Sequence, residues 1–134
     1  MRLKAVLRVF LAVVMLTAGI GHFVRPDGFA QIVPDYLPWP YELVYISGVF
    51  EILGGLGLLI SKTRRAAAWG LIALYIAVFP ANIHMALHEL PFMGTVHPIG
   101  NWVRLPFQLV FIAWAYWNTR PDAAASPSDP AKTA

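Results

Sequence analysis

Four apolar runs dominate this 134-residue chain, and each is long enough to cross a lipid bilayer. A membrane-spanning helix needs about 20 mostly apolar residues, because it rises 1.5 Å per residue. The runs lie at 5–23, 41–60, 66–87 and 102–117. They predict an all-α protein, a four-helix transmembrane bundle that forms one domain over residues 1–120, with the lipid bilayer as its surroundings. The fourth run is short, so its helix is expected to begin slightly earlier or to stand upright.

The composition argues against several other classes of protein. Hydrophobic residues make up 58% of the chain and charged residues only 13%, about half the usual charged fraction of a soluble domain. The basic residues lie at the ends of the apolar runs and form no nucleic-acid patch, so no nucleic-acid partner is expected. The chain has no cysteine, which excludes disulfides, thiolate metal sites and dithiol redox chemistry within it.

The distribution of Lys and Arg predicts the orientation of the helices. Arg2, Lys4 and Arg8 precede the first apolar core, and residues 61–65 carry three more basic residues. The segment 25–40 has one, and the segment 88–101 has none. The positive-inside rule therefore places both termini in the cytoplasm. The first run is interpreted as a retained helix, because its core is long for a signal peptide and no A-x-A-like site follows it.

Two segments outside the spans have distinctive compositions. In the first outer loop, apolar residues such as Phe29, Ile32 and Trp39 alternate with polar residues and prolines. This pattern predicts an interfacial segment that lies on the membrane surface or caps the bundle, with a substrate lid as the alternative. Residues 121–134 are rich in Ala, Pro, Ser and Asp and are predicted to form a disordered cytoplasmic tail.

Glu51 is the polar residue that most suggests a function, because it lies halfway along the second apolar run. An ionisable side chain at that depth costs several kcal/mol unless it is paired or reached by water. On the fourth helix, Arg104 and Gln108 have the i, i+4 spacing of one helix face. Counted from the outer helix ends, Asn82 and Gln108 lie roughly 9 Å deep and Glu51 roughly 15 Å deep.

The polar residues thus converge in the outer half of the bundle, and the pocket candidates are Glu51, Arg104, Asn82, Gln108, His22 and Ser47. One interpretation is a polar cavity that binds a molecule or relays protons. The other is a buried ion pair between Glu51 and Arg104 that only fixes the arrangement of the helices.

A metal site is a further alternative on the third helix. His84 and His88 are spaced i, i+4 and could share a metal ion, with Glu89 and His97 as additional ligands. The competing interpretation is a pair of histidines at the membrane interface.

Several motifs, in this order and spacing, resemble the DoxX-like family of small four-helix membrane proteins. They are A-G-I-G-H-F at 18–23, Y-L-P-W-P at 36–40, I-S-G-V-F-E-I-L-G-G-L-G-L-L-I at 46–60, A-A-W-G-L-I-A-L at 67–74, F-P-A-N-I-H-M-A-L at 79–87, R-L-P-F-Q at 104–108 and A-W-A-Y-W at 113–117. The resemblance covers nearly the whole chain apart from the tail.

The resemblance implies a bacterial inner-membrane (plasma-membrane) protein that is an accessory subunit of a redox system. A redox-enzyme subunit is the implied partner and a quinone the candidate cofactor. Glu51, Asn82 and Arg104 match recurring polar positions of the family. The chain is not expected to catalyse a reaction alone; if it takes part in one, it would be as a subunit of a quinone-linked oxidoreductase. The alternatives are a module that binds or transports a small solute, for which a homo-oligomer is expected, and a structural partner of another membrane protein.

Overall fold

The chain folds into helices joined by short connections. The computed structural model describes residues 2–91 and 95–122, and these residues form five helices. They are α1 (Arg2–Val24), α2 (Pro26–Ala30), α3 (Pro40–Leu59), α4 (Arg64–Leu87) and α5 (Pro98–Thr119). The predicted all-α class is therefore confirmed for the described part of the chain.

Three of the five helices are long and apolar enough to cross a membrane. They are α1 from Leu3 onward, α3 and α4. Only 22 to 33% of the residues in their most apolar stretches are buried inside the protein, and large apolar side chains such as Val13, Phe50 and Ile76 are exposed. A soluble monomer rarely exposes such large apolar patches, whereas hydrocarbon is a suitable neighbour for them. These three helices coincide with the first three predicted spans.

The fourth predicted span differs from this pattern. Residues 102–117 lie within α5, which begins earlier, at Pro98, as its short apolar run required. Its 22 residues make it long enough to cross a bilayer, but it is not among the described helices apolar enough to do so. Polar residues lower the apolar character of α5. Among them Asn101, Gln108 and Asn118 are buried inside the protein.

Proline begins three of the helices. Pro26, Pro40 and Pro98 each occupy the first turn, where their missing N–H has no helical partner to lose. Trp39 precedes α3 with a φ of 56°, a left-handed conformation that turns the chain into the helix. The Tyr41 hydroxyl donates a hydrogen bond to the Asp27 carboxylate and so ties α2 to α3.

Glycine allows α1 and α3 to pack closely. A Cβ at Gly19 would lie 2.9 Å from the carbonyl oxygen of Gly48, and one at Gly55 would lie 3.0 Å from the carbonyl oxygen of Ala12. Only glycine lets two helix backbones approach to this degree. The Gly48 side of α3 is therefore closely packed, and α1 is the helix that it contacts.

The core occupies one half of the bundle. We call the end where α1 finishes and α3 begins the loop end, and the end with residues 60–63 the turn end. The buried apolar cluster lies toward the turn end and combines residues of α1, α3, α4 and α5: Leu11, Ala12, Met15, Leu58, Ala68, Leu71, Ile72, Tyr75 and Ala115. The polar residues of interest lie nearer the loop end, beyond this cluster.

The two ends of the described chain meet at the turn end. Lys4 donates to the carbonyl of Arg120, which follows the last turn of α5, and its ammonium lies 3.3 Å from the Asp122 carboxylate. Arg8 donates to the side-chain oxygen of Asn118 and lies 2.5 Å from the same carboxylate. Asp122, which the sequence places in the tail, is thus bound to α1; residues 123–134 lie outside the described residues.

Candidate functional site

A cavity of about 610 Å³ lies on the loop-end side of the core, between α3 and α4. Its volume falls within the range of small-molecule and cofactor sites. The apolar part of its lining comes from the segment after α1, from α3 and from α4: Phe29, Ile32, Val33, Pro34, Leu37, Leu43, Val44, Ile46, Phe50, Gly70, Ala73, Leu74, Ala77, Val78 and Ala81. The polar part consists of His22, Ser47, Glu51, Asn82 and Arg104.

Five of the six residues proposed from the sequence as pocket candidates therefore border one cavity. They come from four different helices, since His22 ends α1, Ser47 and Glu51 lie one turn apart on α3, Asn82 lies on α4 and Arg104 on α5. Gln108, the sixth candidate, does not line the cavity but contacts one residue that does. A binding function for this cavity stays a prediction.

His22 and Glu51 form a close contact between two ionisable side chains at the cavity. The His22 Nδ1 atom lies 3.1 Å from the Glu51 Oε2 atom, and both side chains are largely buried, with exposed fractions of 10% and 14%. The glycine crossing positions the pair, because a Cβ at Gly48 would lie only 2.8 Å from the Cβ of His22. Glu51 stands one turn beyond Gly48 on α3, toward the turn end.

The neighbours of the His22 ring determine how the pair holds a proton. The Nδ1 atom also lies 2.7 Å from the carbonyl oxygen of Ala18, and a carbonyl can only accept a hydrogen bond. Nδ1 therefore carries a proton and donates it toward Ala18. The ring stacks on Phe29, with centroids 3.9 Å apart, which fixes its plane. In the neutral imidazole this leaves the Nε2 atom as the hydrogen-bond acceptor and site of protonation.

The Glu51 carboxyl group is incompletely hydrogen-bonded. Its Oε2 atom is buried, and the contact with His22 at 3.1 Å lacks the geometry of a hydrogen bond because Nδ1 directs its proton toward Ala18. A buried acceptor without a donor costs about 1–3 kcal/mol. A hydrogen-bond donor on a bound molecule would relieve that cost.

Asn82 is held by a chain of amide hydrogen bonds that joins α4 to α5. Its Nδ2 atom donates to Gln108 Oε1, and Gln108 Nε2 donates to the carbonyl of Tyr75 at 2.5 Å. Gln108 is buried. Pro80 has no N–H to donate to the carbonyl of Ile76, so a helix hydrogen bond is missing next to the Tyr75 carbonyl that Gln108 contacts. Gln108 therefore positions Asn82 at the cavity wall. The sequence predicts Gln108 to be a pocket residue. In the structure Gln108 supports Asn82, which lines the cavity.

The sequence suggests Arg104 as the partner of Glu51, whereas the structure places His22 next to the Glu51 carboxylate. Arg104 lines the same cavity from α5 and is half-buried. The contact between His22 and Glu51 follows from the helix arrangement. Because α1 packs directly on α3 at Gly19 and Gly48, the last turns of α1 bring His22 next to Glu51. Matching signals do exist in the sequence, since G-x-x-H at 19–22 and G-x-x-E at 48–51 each place a glycine one turn before the ionisable residue.

The chain matches a known family over residues 11–119, and this family is described as a domain of unknown function (DUF8561). The chain belongs to the DUF8561 family. The matched residues include all six pocket candidates. No curated protein and no solved structure matches the chain.

In this DUF8561 member the metal-site alternative does not assemble. The rings of His84 and His88 are adjacent, with centroids 4.3 Å apart, and Tyr36 meets His84 edge-on. Among residues 2–91 and 95–122, however, no three His, Asp or Glu side chains are grouped closely enough to hold a metal ion. The histidine pair instead lies at the end of α4, with His84 on its last turn and His88 directly after it.

Proposed function

We propose that this DUF8561 member is a bacterial inner-membrane protein with four spanning helices and both termini in the cytoplasm, and that its cavity binds a quinone. The observation that carries the proposal is the buried His22–Glu51 pair in the wall of a mostly apolar cavity of about 610 Å³. In this role the chain would be an accessory subunit of a redox enzyme, in keeping with its resemblance to DoxX-like proteins.

The lining of the cavity fits a quinone head. A flat apolar ring suits the alkyl and aromatic side chains of the wall, and its two carbonyl oxygens need hydrogen-bond donors. Arg104 and Ser47 carry such donors at the polar part of the cavity. The Glu51 carboxyl group has unused acceptor capacity, which suits the hydroxyl group of the reduced form.

A quinone, when bound, accepts two electrons and two protons as it is reduced. The part played by this chain is to handle protons, since electrons would come from the partner subunit. His22 would take up a proton on Nε2 and pass it to the ligand, once for each of the two protons, while Glu51 balances the positive charge of the protonated imidazole. Asn82 would orient the quinone ring, because Gln108 holds the Asn82 amide in one position.

Replacement of Glu51 by glutamine tests the proposal directly. Glu51→Gln keeps the size of the side chain but removes its charge and proton affinity, so quinone that co-purifies from native membranes should fall at least about tenfold, the equivalent of 1.4 kcal/mol. Glu42→Gln is the matched control: Glu42 lies in the first turn of the same helix and is exposed. Native mass spectrometry and quinone extraction measure the occupancy.

The readout separates a binding role from a structural one. Thermal unfolding of the Glu51→Gln protein in the same detergent shows whether the fold survives. Equal quinone occupancy in the wild type, Glu51→Gln and Glu42→Gln would remove Glu51 from the site, and quinone-free wild-type protein would contradict the proposal as a whole.

The cavity also suits a second candidate, the binding of a small anionic solute without redox chemistry. The observation in its favour is the guanidinium of Arg104 in the wall, next to hydrogen-bonding side chains. A homo-oligomer would supply the helices that a transporter needs. Solute binding that is the same under oxidising and reducing conditions would favour this second function over the first.

A further inference from the structure

The α4 wall of the cavity is made of small side chains along one helix face. Gly70, Ala73, Ala77 and Ala81 line it at intervals of three or four residues. From Gly70 to Asn82 the wall runs about 18 Å along the helix axis. A Cβ added at Gly70 would meet no atom within 4 Å, so open space continues past this residue.

The opposite wall, on α3, leaves the cavity open at its side. Ile46 and Phe50 line the cavity and are nevertheless 52% and 56% exposed, and Ala73 and Ala77 across from them are exposed as well. Both walls belong to helices long and apolar enough to cross a membrane. A mouth between two such helices opens onto hydrocarbon and not onto water.

Polar and apolar groups are separated along this opening. Gly54 of α3 packs against Leu71 of α4, which places Gly70 about one turn closer to the turn end than Glu51. The polar groups of the cavity lie at the level of Glu51 and beyond it toward the loop end, where Asn82 and Arg104 follow. Toward the turn end the lining consists of Gly70, Ala73 and Leu74.

We propose that the gap between α3 and α4 is a lateral portal, through which a membrane-dissolved ligand enters head first while its apolar chain stays in the gap beside Gly70. The ligand class is therefore a small hydrogen-bonding head joined to a flexible hydrocarbon chain. The head lies at His22, Glu51 and Asn82, and the chain passes Gly70 into the bilayer. The inference rests on the proposed function in that both require an occupied cavity.

Gly70 is the residue whose substitution tests the portal. A phenylalanine side chain there would extend into the open space beside the cavity and occupy the position of the chain, away from His22 and Glu51. Gly70→Ala is the matched control, because one methyl group leaves most of the space free. The probes are benzoquinones with one identical head and either a methyl or a decyl substituent, compared at equal mole fraction in nanodisc lipid so that partitioning into lipid does not contribute.

The portal predicts a pattern across the two probes. Wild-type protein and Gly70→Ala should bind both with affinities within about threefold, since an open gap tolerates a long chain. Gly70→Phe should weaken the decyl probe at least about tenfold and the methyl probe less than about twofold. If Gly70→Phe does not fold, Ala73→Leu, at an exposed lining position one turn along α4, should show the same selective loss for the decyl probe.

The outcomes separate this inference from the proposed function. Wild-type protein that binds the methyl probe but rejects the decyl probe would indicate a closed cavity, which overturns the portal and leaves quinone binding in place. An equal loss of both probes in Gly70→Phe would likewise overturn it. If the wild type binds neither probe, the proposed function and the portal both fail.

Discussion

At the scale of single residues, glycine determines where the ionisable groups meet. Gly19 and Gly48 let the backbones of α1 and α3 touch, and the next turn of each helix carries His22 and Glu51. Two polar side chains that would each be costly in an apolar environment thereby reach a distance of 3.1 Å. The same residue type at Gly70 has a different consequence, since no side chain faces it and space remains.

This contrast predicts opposite effects of alanine at two glycines. At Gly48 an added Cβ would lie 2.8 Å from the Cβ of His22, so Gly48→Ala should destabilise the protein by about 1–3 kcal/mol through overpacking. At Gly70 the Cβ meets nothing within 4 Å, so Gly70→Ala should stabilise α4 by roughly 0.5–1 kcal/mol. Thermal unfolding in one detergent should give a lower melting temperature for Gly48→Ala than for the wild type and an equal or higher one for Gly70→Ala. The reverse order would contradict this account of the crossing.

At the scale of elements, α5 is the helix whose environment is least evident from its composition. Asn101, Gln108 and Asn118 lower its apolar character, yet all three are buried and hydrogen-bonded to carbonyl oxygens of the protein. Internal partners of this kind let a helix carry polar side chains inside a bilayer, because hydrogen bonds within the protein replace those with water. Its 22 residues span about 33 Å, enough for the hydrocarbon core.

If α5 crosses the membrane, its two ends face opposite compartments. The chain has no cysteine, so single-cysteine variants label at one position without background. Thr95→Cys, which precedes α5, should react with an impermeant maleimide added outside intact cells. Lys62→Cys in the α3–α4 connection and Pro121→Cys after α5 should react only once the membrane is opened. Labelling of Thr95→Cys and Pro121→Cys from the same side would exclude α5 as a span.

The sequence predicts the elements better than their pairing. Helices α1, α3 and α4 coincide with the predicted spans because length and apolar character are properties of a local stretch of chain. The convergence of polar residues was also foreseeable from depth alone, since depth follows from position in each helix. The partner of Glu51 was not foreseeable in this way, because it depends on which helix α3 packs against. The open space beside Gly70 was not foreseeable either, because it depends on neighbours that are distant in sequence.

At the scale of the whole molecule, charged contacts close the bundle at the turn end. Lys4 and Arg8 of α1 are buried, and Asp122, whose side chain is 41% exposed, lies against both. The hydrogen bond from Arg8 lowers the pKa of the Asp122 carboxyl, and Lys4 adds to the shift, although partial burial opposes it. Arg64, at the start of α4, lies 3.9 Å from the same carboxylate.

This arrangement predicts a loss of stability in acid. Because the pKa of Asp122 is lower in the folded protein than in the unfolded chain, its contribution is complete above the unfolded value and disappears as the pH falls through the folded value. The contribution of Asp122 to the melting temperature should therefore be constant above about pH 5 and be lost as the pH falls below about 4. Asp122→Asn should melt lower at pH 6 and lose the part of the pH dependence that Asp122 supplies. Because the carboxylate is partly exposed, high salt should reduce the difference.

The control for this titration is Asp35→Asn, which removes one negative charge from the exposed segment before α3. It should keep the loss of stability in acid that Asp122 supplies. An Asp122→Asn protein with the wild-type melting profile would show that the contact between the two chain ends contributes nothing to stability.

The contact between Arg8 and Asp122 joins residues 114 positions apart, and this separation orders the biogenesis of the protein. During translation α1 reaches the membrane long before the residues that neutralise its cations have been made. Until α5 and Asp122 have been made, Lys4 and Arg8 lack the carbonyl, amide and carboxylate groups that they contact in the folded protein. A nascent chain that ends before Asn118 would therefore lack both side chains that Arg8 contacts, Asn118 and Asp122.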